Sequence, residues 1–329
     1  MRVGELSRLV LAAEPKPFWL DRPDAPPVRD PLRGEVACDL AVIGGGFTGL
    51  WTALLAKEAD PERTVVLVEG NRAGWAASGR NGGFCEASLT HGAANGRDRF
   101  PAEFGTLQRL GAENLNAIEA ALDRHGIACD FERTGSIGVA TSGYQVEGLR
   151  SAAEAGDGTF LDTSAIRGEV NSPTYLAGVW DKTGSALVHP GRLAWGLAAA
   201  CERLGVRVFE RTPATGLASD ASGVSVRVAD GVLRARRVAL GTSAFPCLVR
   251  RLRPYTARAA RLPGRPGHPL VPGPRRPQLR PQEPVAPRPG RRRHGLRLLA
   301  LRSGRFHDHG PLPCSMSSTT TARCASPAR

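Results

Sequence analysis

The fold is decided by the stretch DLAVIGGGFTG at residues 39–49. A short apolar run leads into Gly-x-Gly-x-x-Gly at Gly44, Gly46 and Gly49, and apolar residues at helical spacing follow. The order is therefore strand, tight turn, helix. Gly44 permits the turn, Gly46 allows a pyrophosphate to approach the backbone, and Gly49 allows the helix to pack on the strand. The helix N-terminus then presents unpaired N–H groups and the positive end of its dipole to phosphates.

An acidic residue stands where such a turn needs one. Glu69 ends the next apolar run, residues 64–68, and lies 20 residues after Gly49. At the end of the second strand, its carboxylate would hydrogen-bond a ribose hydroxyl. A glycine triplet alone is weak support, since glycine-rich turns are also purely structural. The strand before it, the helix after it and the acid favour a dinucleotide site over that structural alternative.

Composition bounds the class of protein. The chain has 329 residues, of which 41% are hydrophobic, and this predicts a soluble protein with about two domains. No apolar run approaches the roughly 20 residues of a membrane span. The apolar patch at residues 9–13 is followed by Glu14, which argues against a signal peptide. Seven cysteines without a Cys-x-x-Cys pair indicate reduced thiols and a cytoplasmic location, and no metal site is predicted.

The net charge of +13 belongs to one end of the chain. Residues 257–329 hold 15 arginines, no lysine and two acids, so 29 basic and 29 acidic side chains remain in the rest of the chain. The same stretch holds 13 of the 26 prolines and a single aromatic residue, Phe306. This composition predicts a disordered tail rather than a packed domain.

A second informative stretch is GNRAGWAASGRNGGF at residues 70–84. It holds five glycines, with Ser, Arg and Asn between them. Because glycine costs chain entropy on ordering, such density usually serves a close approach of the backbone to another group. The group expected here is a flat ring system and its phosphates. The alternative is a flexible surface connection.

The remaining pattern predicts further helices and strands. Helices are predicted at 101–125, 143–155 and 192–204, and strands or strand pairs at 131–140, 176–187, 206–209, 224–234 and 237–245. Asp230-Gly231 between alternating runs indicates a hairpin. His189 precedes the third helix, where a histidine bonded to nearby backbone is favoured over a catalytic one.

This order predicts an α/β fold in which a Rossmann-like domain with a parallel sheet is interrupted by a mixed α+β substrate domain. The chain leaves the first domain near residue 131 and returns with a strand near 237. The predicted parts are a lead-in segment at 1–35, the nucleotide-binding domain at 36–130 and 186–256, a partial substrate domain at 131–185 and the tail at 257–329.

These segments resemble the FAD-dependent amine and amino-acid oxidoreductases, the superfamily of D-amino acid oxidase, glycine oxidase and sarcosine oxidase. The run ASGRNGG at residues 77–83 is most similar to the gamma-glutamylputrescine oxidoreductase branch. The resemblance covers roughly residues 16–256. It rests on FW at 18–19, the glycine turn, Glu69, residues 74–83, GSI at 135–137, ALVHP at 186–190 and LGTSAF at 240–245.

The resemblance implies tightly bound FAD. The implied cofactor-binding residues are Gly44, Gly46, Phe47, Thr48, Gly49, Glu69, Ser78, Arg80, Asn81, Gly82, Gly83, Ala214, Thr242 and Ser243. The pyrophosphate would lie at the glycine turn, the adenosine ribose on Glu69, and the run 78–83 along the pyrophosphate and flavin. The backbone of Ala214 would face the adenine, and Thr242 and Ser243 would close the phosphate region.

The chemistry implied by the resemblance is removal of a hydride from the carbon bearing a neutral amine, onto flavin N5. The imine then hydrolyses to an aldehyde or keto acid plus ammonia or an amine, and the reduced flavin passes its electrons on, commonly to dioxygen. The implied partners are a small amine or amino-acid substrate and dioxygen, with no specific nucleic acid. The protein supplies orientation and electrostatics. No catalytic base is assigned, since this reaction type need not have one.

The family pattern is expected to continue after Thr256 with the rest of the substrate-domain sheet and a last glycine-rich loop, and the chain instead becomes rich in Arg, Pro and Gly. This change predicts that residues 257–329 are an out-of-frame reading of a GC-rich coding sequence. The chain would then be truncated relative to the family. A truncated chain would expose sheet edges and the flavin site to water, so its activity stays open.

Two other functions stay open from the residues. One is an NAD(P)-dependent dehydrogenase that uses the same glycine turn, although the loop at 70–84 and the return strand near 237 argue against it. The other is a non-enzymatic nucleotide-binding remnant whose basic tail binds nucleic acid or anionic lipid nonspecifically.

Overall fold

The computed structural model describes residues 17–243, 245 and 247–255. The predicted disordered tail at 257–329 lies outside the described residues. The strands are β1 (Gly34–Ile43), β2 (Val65–Val68), β3 (Phe84–Glu86), β4 (Ser136–Ala140), β5 (Thr159–Leu161), β6 (Ala177–Asp181), β7 (Ser185–Leu187), β8 (Arg207–Phe209), β9 (Gly216–Ser219), β10 (Val224–Val228) and β11 (Gly231–Leu240). The α-helices are α1 (Phe47–Ala59), α2 (Ala93–Arg99), α3 (Phe104–Arg124), α4 (Gly143–Glu154), α5 (Thr163–Glu169) and α6 (Pro190–Arg203).

A six-stranded sheet forms the body of the protein, in the order β8-β2-β1-β11-β10-β9. The strands from β8 to β11 run parallel, while β10 and β9 extend the sheet in antiparallel pairs. All four residues of β2 are buried, as expected of a parallel strand that is covered on both faces. The predicted α/β class with a parallel sheet is confirmed.

Helices cover one face of this sheet. Leu50 and Leu54 of α1 and Leu197 of α6 have no exposed surface and pack with Val42 and Leu67 of the sheet. A second apolar cluster covers the opposite face. Since β1 and β2 are parallel, their carboxyl ends lie at one edge, where the glycine turn begins.

The insertion has a sheet of its own. Its order is β4-β6-β5, all antiparallel, with α4 and α5 packed against it. Its core is small and consists of Ile137, Val139, Ile166 and Tyr175. Strands β3 and β7 form a separate antiparallel pair, in which β7 follows β6 in the chain. The predicted mixed α+β interruption is confirmed, and its boundary residues stay predictions.

One strand differs from the prediction. β11 is a single strand of ten residues, whereas separate strands were expected at 232–234 and 237–245. Arg236 and Arg237 are both exposed, and two consecutive exposed residues interrupt the period-two pattern on which strand prediction rests. Pairing with β1 nevertheless runs from Gly231 to Leu240, because the long neighbouring strand supplies hydrogen-bond partners over that whole length.

Candidate functional site

The glycine turn between β1 and α1 is shaped by contacts between backbone segments. Gly44 has a φ of +110°, a conformation that glycine adopts readily, and a Cβ there would lie 2.5 Å from the carbonyl oxygen of Gly241. A Cβ on Gly49 would overlap the carbonyl oxygen of Gly44. The Gly241 N–H also donates to the carbonyl oxygen of Ile43 at 2.8 Å. The close approach of these segments therefore requires glycine at both positions.

Ser78 lies at the N-terminus of α1. Its hydroxyl oxygen accepts the N–H of Phe47 at 2.9 Å, and a Cβ on Gly46 would lie 2.9 Å from that oxygen. Within the described part of the chain, the N–H groups of Thr48 and Gly49 have no hydrogen-bond partner. Unpaired N–H groups at a helix start form a ready anion site. The structure thus brings the turn and the loop at 70–84 together around these donors.

Glu69 lies directly after β2, beside the turn, and is 7% exposed. One carboxylate oxygen accepts the N–H of Gly45 at 2.6 Å. The other accepts the backbone N–H of Asn71 and the indole N–H of Trp75, each at 2.8 Å. Among the described residues no cation pairs with this carboxylate. Neutral donors therefore hold Glu69 in place while its charge is not compensated by an ion pair.

Asn81 braces the loop that follows Ser78. Its side-chain amide donates to the carbonyl oxygen of Ser78 at 2.8 Å, and its side-chain oxygen accepts the N–H of Gly83 at 2.9 Å. Gly83 is buried, and its carbonyl oxygen accepts the N–H of Val188 at 2.8 Å. Gly82 is exposed. Asn81 and Gly83 therefore shape the loop, and Gly82 presents its backbone to solvent.

Arg80 contacts the tryptophan of its own loop. Its Nε donates to the carbonyl oxygen of Trp75 at 2.6 Å, and its guanidinium carbon lies 5.4 Å from the centroid of the Trp75 ring. The residue is exposed. No contact of this guanidinium with the glycine turn is found in the described ranges, so the structure does not bring Arg80 to the predicted pyrophosphate position.

The segment after β11 closes the turn from the other side. The backbone nitrogen of Thr242 lies 3.5 Å from the position of a Cβ on Gly44. Ser243 has a φ of +46°, and the Phe245 N–H donates to the carbonyl oxygen of Thr242 at 3.0 Å. The chain turns back here, and the ring of Phe245 lies 5.7 Å from that of Trp75. Thr242 and Ser243 are thus brought to the turn.

The segment after β8 runs beside Glu69. The Thr212 N–H donates to the carbonyl oxygen of Glu69, and the Arg211 N–H to that of Asn71, both at 2.8 Å. Ala214 follows two residues later and packs, half-buried, against the apolar cluster on the far face of the sheet. The structure therefore brings this segment to Glu69 through Thr212, and it directs the Ala214 side chain into the apolar cluster.

Sequence reasoning missed Glu210, which is 2% exposed. Its carboxylate accepts the N–H of Ala73 at 2.7 Å and the N–H of Arg29 at 2.9 Å, and the Arg29 guanidinium lies 3.3 Å away. Arg29 also pairs with Glu202 at 2.6 Å. Glu210 could have been found from the sequence, because it is an acid directly after an apolar strand. The same pattern identified Glu69. Glu210 ties the loop to the lead-in segment.

His189 is the N-cap of α6. Its Nδ1 accepts the Arg192 N–H at 3.1 Å, and the ring of Trp19 packs edge-on at 4.9 Å. An imidazole nitrogen that accepts a hydrogen bond is unprotonated. Burial, together with the charge of Arg192, lowers the pKa of His189. These contacts are those of a structural helix cap.

A groove of about 780 Å³ lies between the insertion and the helices α2 and α3. Its walls include Glu86, Phe104, Gln108 and Trp180. The groove begins at β3, the strand that directly follows Gly83. Open space therefore adjoins the end of the glycine-rich loop.

In the described ranges, no group of three or more His, Cys, Asp or Glu side chains is arranged to hold a metal ion. In the same residues, no helix combines the length and the apolar character that crossing a membrane requires.

Comparison with known proteins adds the family. A family model described as FAD dependent oxidoreductase matches residues 39–305. The match includes the glycine turn, the loop at 70–84, the insertion and β11, and it extends beyond residue 256, where the resemblance was expected to end. Between the flavin and nicotinamide cofactors that the residues left open, the match supports FAD.

Individual proteins are similar to the chain as well. Gamma-glutamylputrescine oxidoreductase of Escherichia coli (strain K12) is 34% identical over 227 residues, which are 66% of this chain and 51% of that protein. Probable oxidoreductase OrdL of Haemophilus influenzae is 28% identical over 227 residues, with coverages of 65% and 51%. Glycine oxidase from Geobacillus kaustophilus shares the fold, with a TM-score of 0.54, 22% identity and coverages of 64% and 56%. The chain spans about half the length of the curated relatives it matches.

Proposed function

The chain belongs to the family of FAD-dependent oxidoreductases, and from this premise we propose that it oxidises the carbon–nitrogen bond of a small amine or amino acid to an imine. The observation that carries the proposal is the glycine turn. A helix start with unpaired N–H groups lies between the hydroxyl of Ser78 and the buried carboxylate of Glu69. This is the donor and acceptor set that a dinucleotide needs.

FAD is the family's cofactor, and the residues at the turn fit it. An adenosine diphosphate group carries anionic phosphates and a ribose diol. The N–H groups of Thr48 and Gly49 match the phosphates, and Gly46 has no side chain to block them. Glu69 matches the diol because it accepts hydrogen bonds and has no cationic partner in the described ranges. We assign the pyrophosphate to residues 44–49 with Ser78, and the ribose to Glu69.

The other predicted contacts belong to the same proposal. The run 78–83 would follow the pyrophosphate and flavin, Thr242 and Ser243 would close the phosphate region, and the backbone of Ala214 would face the adenine. Asn81 would act by shaping the loop, because its side chain is engaged with the Ser78 carbonyl and the Gly83 amide. Arg80 would act through Trp75, because its guanidinium lies on the ring of that residue.

The division of labour follows from these contacts. Bound FAD supplies the acceptor for the hydride that leaves the amine carbon. The residues of this chain would bind and orient the cofactor. The helix N-terminus and Ser78 would hold the phosphates, and Glu69 would accept a hydrogen bond from a ribose hydroxyl. The packed turn would keep these groups at fixed distances from one another. No residue is assigned as a base, and dioxygen is proposed as the final electron acceptor.

The substrate class comes from the relatives. The protein that shares 34% identity is named for gamma-glutamylputrescine, and one of the solved structures with the same fold is a glycine oxidase. We therefore propose a small amine or amino acid, with gamma-glutamylputrescine as the first compound to test. We propose that the substrate binds in the groove beside β3. This strand lines the groove and directly follows the loop that is assigned to the flavin.

The experiment is an FAD titration of the purified full chain, followed by anaerobic mixing with amines. Uptake is read from the visible flavin bands, and oxidation of the amine from bleaching of those bands. The amines are gamma-glutamylputrescine, putrescine, glycine and sarcosine, and peroxide is measured after air is admitted. We expect uptake, and bleaching by at least one amine. A folded chain that takes up no flavin supports the non-enzymatic remnant, and uptake without bleaching contradicts the amine class.

Two further parts of the proposal concern the chain as a gene product. A cytoplasmic location is supported by the unpaired thiols of Cys38, Cys85, Cys129 and Cys201. Burial raises the pKa of Cys129 to about 11 and that of Cys201 to about 12, so these two thiols stay protonated at neutral pH. Cell fractionation tests it. The out-of-frame origin of residues 257–329 is tested by translating the other two frames downstream of the Thr256 codon. Absence of a flavoenzyme-like continuation in both frames would contradict it.

A further inference from the structure

Trp75 makes contacts that no sequence pattern assigned to it. Its indole N–H donates to a carboxylate oxygen of Glu69 at 2.8 Å. Its ring is half-buried, with the guanidinium of Arg80 5.4 Å from the ring centroid and the ring of Phe245 at 5.7 Å. One side chain thus joins the acid after β2, the glycine-rich loop and the segment after β11.

The hydrogen-bond inventory of Glu69 shows what the indole does there. An ionised carboxylate offers about four lone-pair positions. Three are used by the N–H groups of Gly45, Asn71 and Trp75. Gly45 and Asn71 are backbone donors that the fold supplies in any case, whereas Trp75 is the one side-chain donor to Glu69 in the described ranges. The indole and the Asn71 N–H share one carboxylate oxygen, and the Gly45 N–H binds the other. The indole is therefore the side-chain part of the donor set that fixes the rotation of the carboxylate about its last bond, and with it the direction of the remaining lone pair.

The ring contacts make this donor rigid. An indole has a donor and no acceptor, so it cannot reverse its role toward the carboxylate. The face of the ring carries the Arg80 guanidinium, an attraction between a cation and a π-system, while Phe245 restricts its movement. Arg80 is itself fixed by the hydrogen bond from its Nε to the Trp75 carbonyl oxygen. A fixed donor orients its acceptor better than a mobile one, because less ordering is needed when the ligand binds.

We propose that Trp75 is a positioning residue for ribose recognition: it holds the Glu69 carboxylate in the rotation that accepts the ribose hydroxyl of the nucleotide. The inference rests on the proposed role of Glu69. It also gives a role to Arg80, which supports the tryptophan ring rather than contacting the pyrophosphate.

The test is nucleotide binding by the purified full chain, measured by isothermal titration with ADP and with 2′-deoxy-ADP. Trp75→Phe keeps the ring and removes the N–H. We expect it to weaken ADP binding about five- to tenfold, the scale of one ordinary hydrogen bond, because the variant misdirects the acceptor without removing it. Binding of 2′-deoxy-ADP should change about twofold or less, since the hydroxyl that depends on the oriented carboxylate is missing. The ratio of the two affinities within one variant does not depend on the folded fraction.

Trp195→Phe is the matched control. Trp195 lies in α6 with its ring centroid 6.4 Å from that of His189, and no hydrogen bond from its indole to Glu69 is found in the described ranges. This variant removes the same N–H outside the proposed site and should leave the affinity ratio unchanged. A change in the ratio equal to that of Trp75→Phe would overturn the proposal.

Glu69→Gln separates this inference from the function on which it rests. If Glu69→Gln leaves the ratio of ADP to 2′-deoxy-ADP affinity unchanged, the ribose assignment itself fails. If Glu69→Gln lowers the ratio and Trp75→Phe does not, the positioning role fails and the ribose assignment stands. In the double variant, Trp75→Phe should add no further loss. Equal weakening of both nucleotides by Trp75→Phe would show a general structural effect and would contradict the proposal.

Discussion

Two neighbouring strands of the main sheet end in a buried glutamate, and the surroundings of the two carboxylates differ. Glu210 after β8 is 2% exposed and has the Arg29 guanidinium at 3.3 Å. Glu69 after β2 is 7% exposed and accepts three neutral N–H groups, with no cation beside it in the described ranges. A buried charge is costly unless it is paired and hydrogen-bonded. Glu210 meets that condition within the chain, whereas Glu69 keeps acceptor capacity for a ligand.

The comparison separates a carboxylate that stabilises the fold from one that is available for binding. Both residues follow an apolar strand, and both accept a backbone N–H from the loop at 70–84. What differs is the other partner, which is the Arg29 guanidinium for Glu210 and the Gly45 N–H of the glycine turn for Glu69. The four predictions below test this difference, beginning with the turn that gives Glu69 its place.

The largest effect is expected from Gly49→Ala. Its Cβ would overlap the carbonyl oxygen of Gly44, so the turn and the start of α1 must separate. The free energy of unfolding should fall by about 4 kcal/mol or more, as expected of severe backbone conflicts. Urea denaturation followed by circular dichroism measures it. Gly148→Ala in α4 is the control, because a Cβ there meets open space. A loss below about 1 kcal/mol for Gly49→Ala would contradict the packed turn.

Glu210→Ala removes the buried partner of the Arg29 guanidinium, which keeps its ion pair with Glu202. It also leaves the N–H groups of Arg29 and Ala73 without their acceptor. Removing one member of a buried pair usually costs about 3–5 kcal/mol. Because the pair with Glu202 remains, we expect a loss near the lower end of that range. Glu69→Ala removes hydrogen bonds but no ion pair, and should cost about 1–3 kcal/mol. Thermal and urea unfolding of both variants, without nucleotide, give the difference. Equal losses would remove the distinction between the two carboxylates.

The order should reverse for nucleotide binding. Glu69→Gln should weaken ADP binding about tenfold, because the amide cannot serve as a charged acceptor for the ribose. Glu210→Gln should weaken it about twofold or less in the folded fraction, since an amide oxygen still accepts the N–H of Ala73. Isothermal titration of each folded variant measures this. A larger effect from Glu210→Gln would show that the loop geometry, rather than the Glu69 carboxylate, governs affinity.

The smallest effect concerns the pH dependence of stability. It sets the pH at which the Glu69 and Glu210 variants are best compared, which is above the range in which His189 titrates. The pKa of His189 is lowered in the folded chain by burial and by Arg192, so the unfolded chain binds the proton more readily. Stability from this group is complete above the unfolded pKa of about 6.5 and is lost as pH falls through the folded value.

Urea unfolding between about pH 7.5 and 5 should therefore show a decline that His189→Asn reduces. Asparagine caps a helix without titrating, so the variant should keep α6 intact. An unchanged pH dependence in this variant would show that another group causes the decline.

The features that could be predicted from the sequence are those that depend on residues close together in the chain. The glycine turn and its helix are encoded within about ten residues, and Glu69 is identified by the end of the next apolar run. The fold class was therefore accessible from the residues and FAD from the resemblance, and both are confirmed. β11 was divided wrongly because Arg236 and Arg237 interrupt the alternation that local pattern reading requires. The site residues assigned from the resemblance stay predictions.

The residue pattern of this chain is sufficient for the Rossmann-like class, the position of the turn and the acid after β2, because each depends on neighbours close in sequence and on glycine's freedom to take a positive φ. The pairing of Arg29 with Glu210, 181 residues apart, could not be read in this way. Nor could the hydrogen bond from Trp75 to Glu69, which depends on how the loop returns across the carboxyl edge of the sheet. Those contacts follow from the strand order and the burial that it creates, since only assembly of the sheet brings the end of β8 and the lead-in segment to the same loop.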